Sequence, residues 1–204
     1  MIICLEGPDG CGKTSVAKAI VQLVGGTVLR LPGGTELGEM LRGMLKSKTG
    51  GGKGGEEADI GSWARCCLFM AVDEAGHREA ERREGRGEVV VMDRCALSNL
   101  AYRRATGEER EEAMVLREVG GMMGAGLWPR GGRLVLLDAP DEVLRERIRA
   151  VRGESEDRFD GLAERAAVEY RRIARELGMQ RMVVDTTRGG IAWVAAEVLR
   201  LVGM

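Results

Sequence analysis

The 204-residue chain is 44% hydrophobic, 31% charged and 3% aromatic, with 31 basic against 32 acidic residues and a formal net charge of -1. That length fits one globular domain with a real core, while the balanced charge excludes bulk attraction to nucleic acid or an anionic membrane. No apolar run approaches the ~18 residues of a membrane span, and no charged start leads into a secretory core. A cytoplasmic protein with neither nucleic acid nor membrane as partner is expected. Cys4, Cys11, Cys66, Cys67 and Cys95 form no CxxC pair and His77 is the only histidine, so a Cys/His zinc site is nearly excluded and the thiols read as small apolar residues.

Five short, near-continuous apolar runs recur along the chain: 1–6 (MIICLE), 27–31 (TVLRL), 88–93 (EVVVMD), 133–138 (RLVLLD) and 180–185 (QRMVVD). Strands without polar alternation belong in a parallel sheet covered on both faces. Between them lie helical stripes at Val16, Ile20, Leu23 and Val24, at Leu37, Met40, Leu41, Met44 and Leu45, and at Leu144, Ile148 and Val151. The expected fold is α/β, a five-stranded parallel sheet with helices on both faces, in one domain spanning 1–204. Residues 47–57 (SKTGGGKGGEE) follow a helix rather than a strand and read as a flexible glycine-rich loop.

Gly7-Pro8-Asp9-Gly10-Cys11-Gly12-Lys13-Thr14 fits GxxxxGK followed by Ser or Thr, directly after the first strand and at the start of the first helical stripe. Such glycines let backbone N–H groups curl around phosphate oxygens, with the helix N-terminus adding its positive end. Lys13 supplies a point charge for the β- and γ-phosphates, and Thr14 a hydroxyl ligand for Mg2+. The fold expectation is therefore the P-loop NTPase class with ATP as co-substrate. A switch GTPase needs an Asn-Lys-x-Asp motif, whereas the one asparagine, Asn99, is followed by leucine.

Four further segments resemble the thymidylate kinase family, in order and over essentially the whole chain. Arg30–Glu39 (RLPGGTELGE) is similar to the family's REPGGTELGE-like stretch, followed by an arginine, here Arg42. Leu68-Phe69 matches an LF pair on a long helix. Asp93-Arg94 ends a strand like the family's Asp-Arg pair, followed by Ser98-Asn99 and Ala101-Tyr102. Residues 147–160 (RIRAVRGESEDRFD), within a lid region at 141–160, resemble its arginine-rich lid.

The resemblance implies transfer of the ATP γ-phosphoryl to dTMP, with Mg2+, in a homodimer. It places Pro32 and Arg42 at the acceptor, Arg42 as a ligand of its phosphate, although Arg42 with Glu39 is equally an exposed i,i+3 pair. Tyr102 would flank the acceptor sugar, Asp9 would lie near that sugar and the acceptor phosphate and count with Lys13 among the catalytic residues, and Phe69 would stack on the base or else sit in the core. Asn99, beside Ser98, would read the base amide edge or else cap a helix. Arg94 would be catalytic at the carboxyl end of a strand, with Asp93 either assisting Mg2+ or orienting Arg94. With Gly10 in the P-loop, the catalytic arginines would come from the lid, Arg152 and Arg158, with Arg149 toward ATP.

Some positions depart from the family. Asp73 stands where an arginine grips the acceptor phosphate, and its charge would repel one. Cys95 replaces Tyr or His, Arg103 replaces Gln, and Leu31 replaces Glu. Arg65, one turn before Phe69, or Arg103 from the neighbouring helix would then take the phosphate. Two other readings remain: a kinase for another deoxynucleoside monophosphate such as a 5-substituted dUMP, and a catalytically weak nucleotide-binding protein.

Overall fold

A computed structural model describes residues 1–46, 61–124, 132–152 and 157–204. The expected glycine-rich loop at 47–57 lies outside the described residues. Strands β1 (Ile2–Glu6), β2 (Thr27–Arg30), β3 (Val90–Asp93), β4 (Arg133–Asp138) and β5 (Val183–Asp185) pair in parallel in the order β2-β3-β1-β4-β5. Helices are α1 (Lys13–Val24), α2 (Glu36–Lys46), α3 (Ser62–Glu84), α4 (Ala96–Thr106), α5 (Glu109–Gly124), α6 (Asp141–Arg152), α7 (Asp157–Glu176) and α8 (Ile191–Val202).

The period of two along β1 divides the core. Ile2 and Cys4 join Val90, Met92, Leu134 and Leu136 under α3, α4 and α7. Ile3 and Leu5 turn to the opposite face with Val91, Val135 and Leu137, against α1 and α8. Both faces are covered, which is why the strands carry no polar alternation. Helix α7 joins the first of these cores through Tyr170, Ile173 and Ala174, its inner face running Ala163, Ala166, Ala167, Tyr170 and Ile173 at helical spacing.

The structure corrects several expectations. The segment 180–185 is only half strand, because Gln180–Met182 form a single 3₁₀ turn before β5. Leu23 is 59% exposed, and on α2 Leu37 is 47% and Met40 66% exposed while Leu41 is buried. Val151, at the end of the α6 stripe, is 86% exposed. Periodicity identified these helices correctly; it carries no information on whether another element covers the stripe.

Candidate active site

The carboxyl ends of β1 and β3 lie side by side at the centre of the sheet, the position at which open α/β sheets bind ligands. From β1 the chain enters the loop 7–14, where backbone geometry requires glycine. Gly7 has φ 140° and its missing Cβ would lie 2.0 Å from the Leu137 carbonyl oxygen; Gly10 has φ 82° and a Cβ there would lie 2.6 Å from the Leu144 carbonyl oxygen. The loop is thus pressed against β4 and α6. Lys13 is buried, its Nζ donating to the carbonyls of Gly7 at 2.8 Å and Pro8 at 2.7 Å. Cys11 is also buried, and burial pushes its thiol up, so it packs rather than reacts.

Thr14 Oγ1 donates to Asp93 Oδ2 at 2.6 Å. A hydroxyl and a carboxylate side by side at the P-loop are the hard oxygen donors that suit Mg2+, so these residues fit the expected ion together with the phosphates of a bound nucleotide. Asp93 pairs with Thr14, and it is Asp9 that pairs with Arg94.

Arg94 occupies a left-handed backbone conformation, φ 81°, which costs about 1–2 kcal/mol for a non-glycine residue. The turn is held by Glu6, the charged end of an otherwise apolar strand. Its Oε1 accepts from the N–H groups of Cys95 at 2.7 Å and Ser98 at 2.9 Å, and its Oε2 from the hydroxyls of Ser98 at 2.7 Å and Tyr170 at 3.1 Å. A carboxylate in this core is tolerable only because each oxygen is so occupied. The Arg94 guanidinium donates through Nη1 to Ser98 Oγ and Tyr170 OH, both at 3.0 Å, and through Nη2 to Asp9. Tyr102 lies beneath it, 5.9 Å from the guanidinium carbon to the ring centroid. These neighbours hold its charge well above the ordinary arginine value although burial opposes it.

Asn99 sits inside α4, whose N-cap is Cys95, so the capping alternative is removed. It is buried, its Nδ2 is 3.9 Å from Cys66 Sγ, and its Oδ1 has no partner among the described residues. On α3, Phe69 is half-buried and belongs to neither core, whereas the adjacent Met70 packs against one of them. Asp73 is half-buried, and desolvation pushes its carboxyl up to about 8, with Glu6 and Cys4 adding to the rise. A carboxyl raised in this way carries less charge near neutral pH, which weakens the expected repulsion of a phosphate. Arg103 is buried, paired with Glu108, and its Nε has no partner among the described residues.

Arg65 is half-buried on α3, with no ion pair among the described residues. Arg42 is 3.8 Å from Glu39, the i,i+3 pair anticipated from sequence, and it overlies Gly33 next to Pro32. Arg149 is exposed on α6. The side chains of Arg152 and Arg158 lie outside the described residues, so the lid roles expected of them stay expectations.

Three residues with evident work were missed by sequence reasoning. Glu6 and Tyr170 support Arg94, and Arg147 on α6 donates to Thr186 Oγ1 at 2.9 Å and the Gly10 carbonyl at 3.5 Å, tying the loop after β5 to the P-loop. A charged residue closing an apolar strand next to a P-loop was a usable signal for Glu6. Tyr170, 164 residues away from it, offered none.

A parallel sheet, a P-loop and an arginine poised between that loop and a polar helix face define a P-loop phosphotransferase. The chain matches the family model described as thymidylate kinase over residues 5–197. It is 31% identical to a thymidylate kinase of Bifidobacterium longum over 205 residues, covering 97% of this chain and 95% of that protein. It is likewise 31% identical to a thymidylate kinase of Burkholderia cenocepacia, covering 91% of this chain and 89% of that protein. A deoxyadenosine kinase from M. mycoides solved with bound dATP shares the fold, at TM-score 0.63 and 14% identity over the whole of both chains. The chain belongs to the thymidylate kinase family.

Proposed function

We propose that this chain transfers the γ-phosphoryl of Mg·ATP to dTMP, yielding ADP and dTDP, with residues 1–204 acting as one kinase domain. The observation that carries the reading is Arg94, whose guanidinium meets both the P-loop, at Asp9, and Ser98 on α4. A cation there neutralises charge developing between donor and acceptor phosphates, where an electrostatic contribution is largest. Lys13 and the loop amides hold the ATP phosphates. Thr14 and Asp93 would hold Mg2+, which would supply positive charge that offsets that of the phosphates. Asn99, whose Oδ1 has no partner among the described residues, faces the acceptor base, and Tyr102 the sugar.

An ADP-coupled assay over a panel of nucleoside monophosphates tests this. The highest kcat/KM is expected with dTMP; a strong preference for a ribonucleotide would overturn it. The runner-up acceptor is a 5-substituted dUMP, and the same panel separates it.

Arg65 is proposed to grip the acceptor phosphate, since Arg103 is committed to Glu108. Arg65→Ala is expected to raise KM for dTMP about 10-fold or more, the value of one charge-assisted contact, while leaving KM for ATP unchanged. An unchanged dTMP affinity would remove Arg65 from the site.

No described helix is long and apolar enough to cross a membrane, and a cytoplasmic location is proposed. A homodimer is proposed on the exposed Leu37 and Met40 of α2 and Trp63 of α3, an apolar surface that a second copy would cover. Sedimentation of the full chain is expected to give twice the 22.1 kDa monomer mass.

A further inference from the structure

We propose that Tyr170 is a positioning residue for phosphoryl transfer, its hydroxyl and that of Ser98 forming a platform between Glu6 and Arg94 that aims the arginine at the acceptor phosphate. The inference rests on the kinase reading above and deepens it.

Tyr170 is fully buried on α7, where a phenylalanine would pack as well without bringing a polar atom into the core. The hydroxyl is accounted for only by its partners: Arg94 Nη1 at 3.0 Å, Ser98 Oγ at 2.7 Å and Glu6 Oε2 at 3.1 Å. A guanidinium only donates and a carboxylate only accepts, so both hydroxyls accept from Arg94. Each hydroxyl has one proton, so at 2.7 Å apart one donates to the other and that one donates to Glu6. Four polar atoms then form a connected chain from Arg94 to Glu6, and in a low-dielectric site such chains reinforce one another. Burial first, and then Glu6, pushes the phenol well above the ordinary tyrosine value, so it stays a donor across the working pH range.

This network takes the Nη1 edge of Arg94 and leaves Nη2 toward the P-loop. Glu6 Oε1 meanwhile fixes the strained turn by binding the next N–H groups. One carboxylate thus sets both the backbone and the side chain of Arg94. Tyr170 also brings α7 into that setting.

The test is Tyr170→Phe in the full-length chain, assayed with Mg·ATP and dTMP, or with whichever panel acceptor the wild type prefers. A loss of about 10-fold in kcat/KM for the acceptor, mostly in kcat, is expected, because a misdirected arginine costs transition-state stabilisation more than binding. KM for ATP is expected to change less than about 2-fold, ATP being held by the P-loop. Ser98→Ala should behave alike. In an Arg94→Lys background, Tyr170→Phe should cost less than about 2-fold more, since residues acting through one group are not additive. Wild-type kcat/KM in Tyr170→Phe, a full additional loss in the Arg94→Lys background, or equal losses toward both substrates would each overturn the proposal. Wild-type inactivity on the whole panel would instead sink the kinase reading. Titration with an adenosine–pentaphosphate–thymidine bisubstrate reads the same ordering without turnover: tighter binding to wild type than to Tyr170→Phe supports it, and equal binding overturns it.

Discussion

Lys13→Ala is expected to lower kcat by about 10²–10³-fold or more, the range for removing one donor aimed at developing transition-state charge. The ammonium is buried and turned onto the Gly7 and Pro8 carbonyls at 2.8 and 2.7 Å, with Cys11 Sγ at 3.4 Å. It is thus held by the loop that would cradle the phosphates, and an arriving anion needs only a small shift of the Nζ group to be met. The loop does not depend on it, because its turns are set by positive-φ glycines and its packing by Leu137 and Leu144. The variant should therefore keep a melting temperature near wild type. Lys13→Met, which keeps the stem and removes the charge, should match the Ala variant in rate, and turnover near wild type in either would remove this loop from the donor site.

What sequence reveals of this protein depends on how local the determinant is. The P-loop, the Asp93-Arg94 pair and the pairs Ser98-Asn99 and Ala101-Tyr102 are contiguous stretches whose order is readable, and β4 falls on the expected residues Arg133–Asp138. Apolar runs locate strands because both faces are buried. The same logic fails at Gln180–Met182, where the chain turns before it pairs, and at Leu37 and Met40, where a well-formed stripe meets solvent.

On α3, matching a pair of letters pointed to Phe69. The helix turns Cys66, Met70 and His77 inward and leaves Phe69 half-buried outside both cores. The support for Arg94 was hidden for a different reason. Glu6, Ser98 and Tyr170 come from β1, α4 and α7, and only the sheet order and the docking of α7 bring them within 3.1 Å. No pattern in the chain encodes that meeting.

Asp73→Asn is expected to stabilise the protein by an amount that grows with pH. The carboxyl sits at about 8 in the folded chain against an ordinary 3.8, chiefly through desolvation. Between those values the folded chain holds a proton that the unfolded chain has released, so stability falls as pH rises, by about 1.4 kcal/mol per unit for one such proton. His77, Glu6 and Cys4 face the group: His77 pulls its value down, and the other two raise it. His77 is itself held above its ordinary value by Cys4 and Asp73 although desolvation opposes this, so its contribution, full at low pH, also fades as pH rises. Two slopes of the same sign overlap, and the asparagine variant removes that of Asp73 together with the part of the His77 shift that the Asp73 charge causes. Its melting temperature should exceed wild type by a margin widening by about 3–5 °C per unit between pH 5 and 8, then levelling, given about 2–4 °C per kcal/mol at this size. The same titration bears on catalysis. On the proposed placement of the acceptor phosphate along α3, KM for dTMP should climb with pH as the Asp73 carboxylate forms, a rise the variant lacks. A margin that stays constant from pH 5 to 8 would mean that Asp73 is ionised throughout, and the burden of binding the phosphate against it would then fall on Arg65.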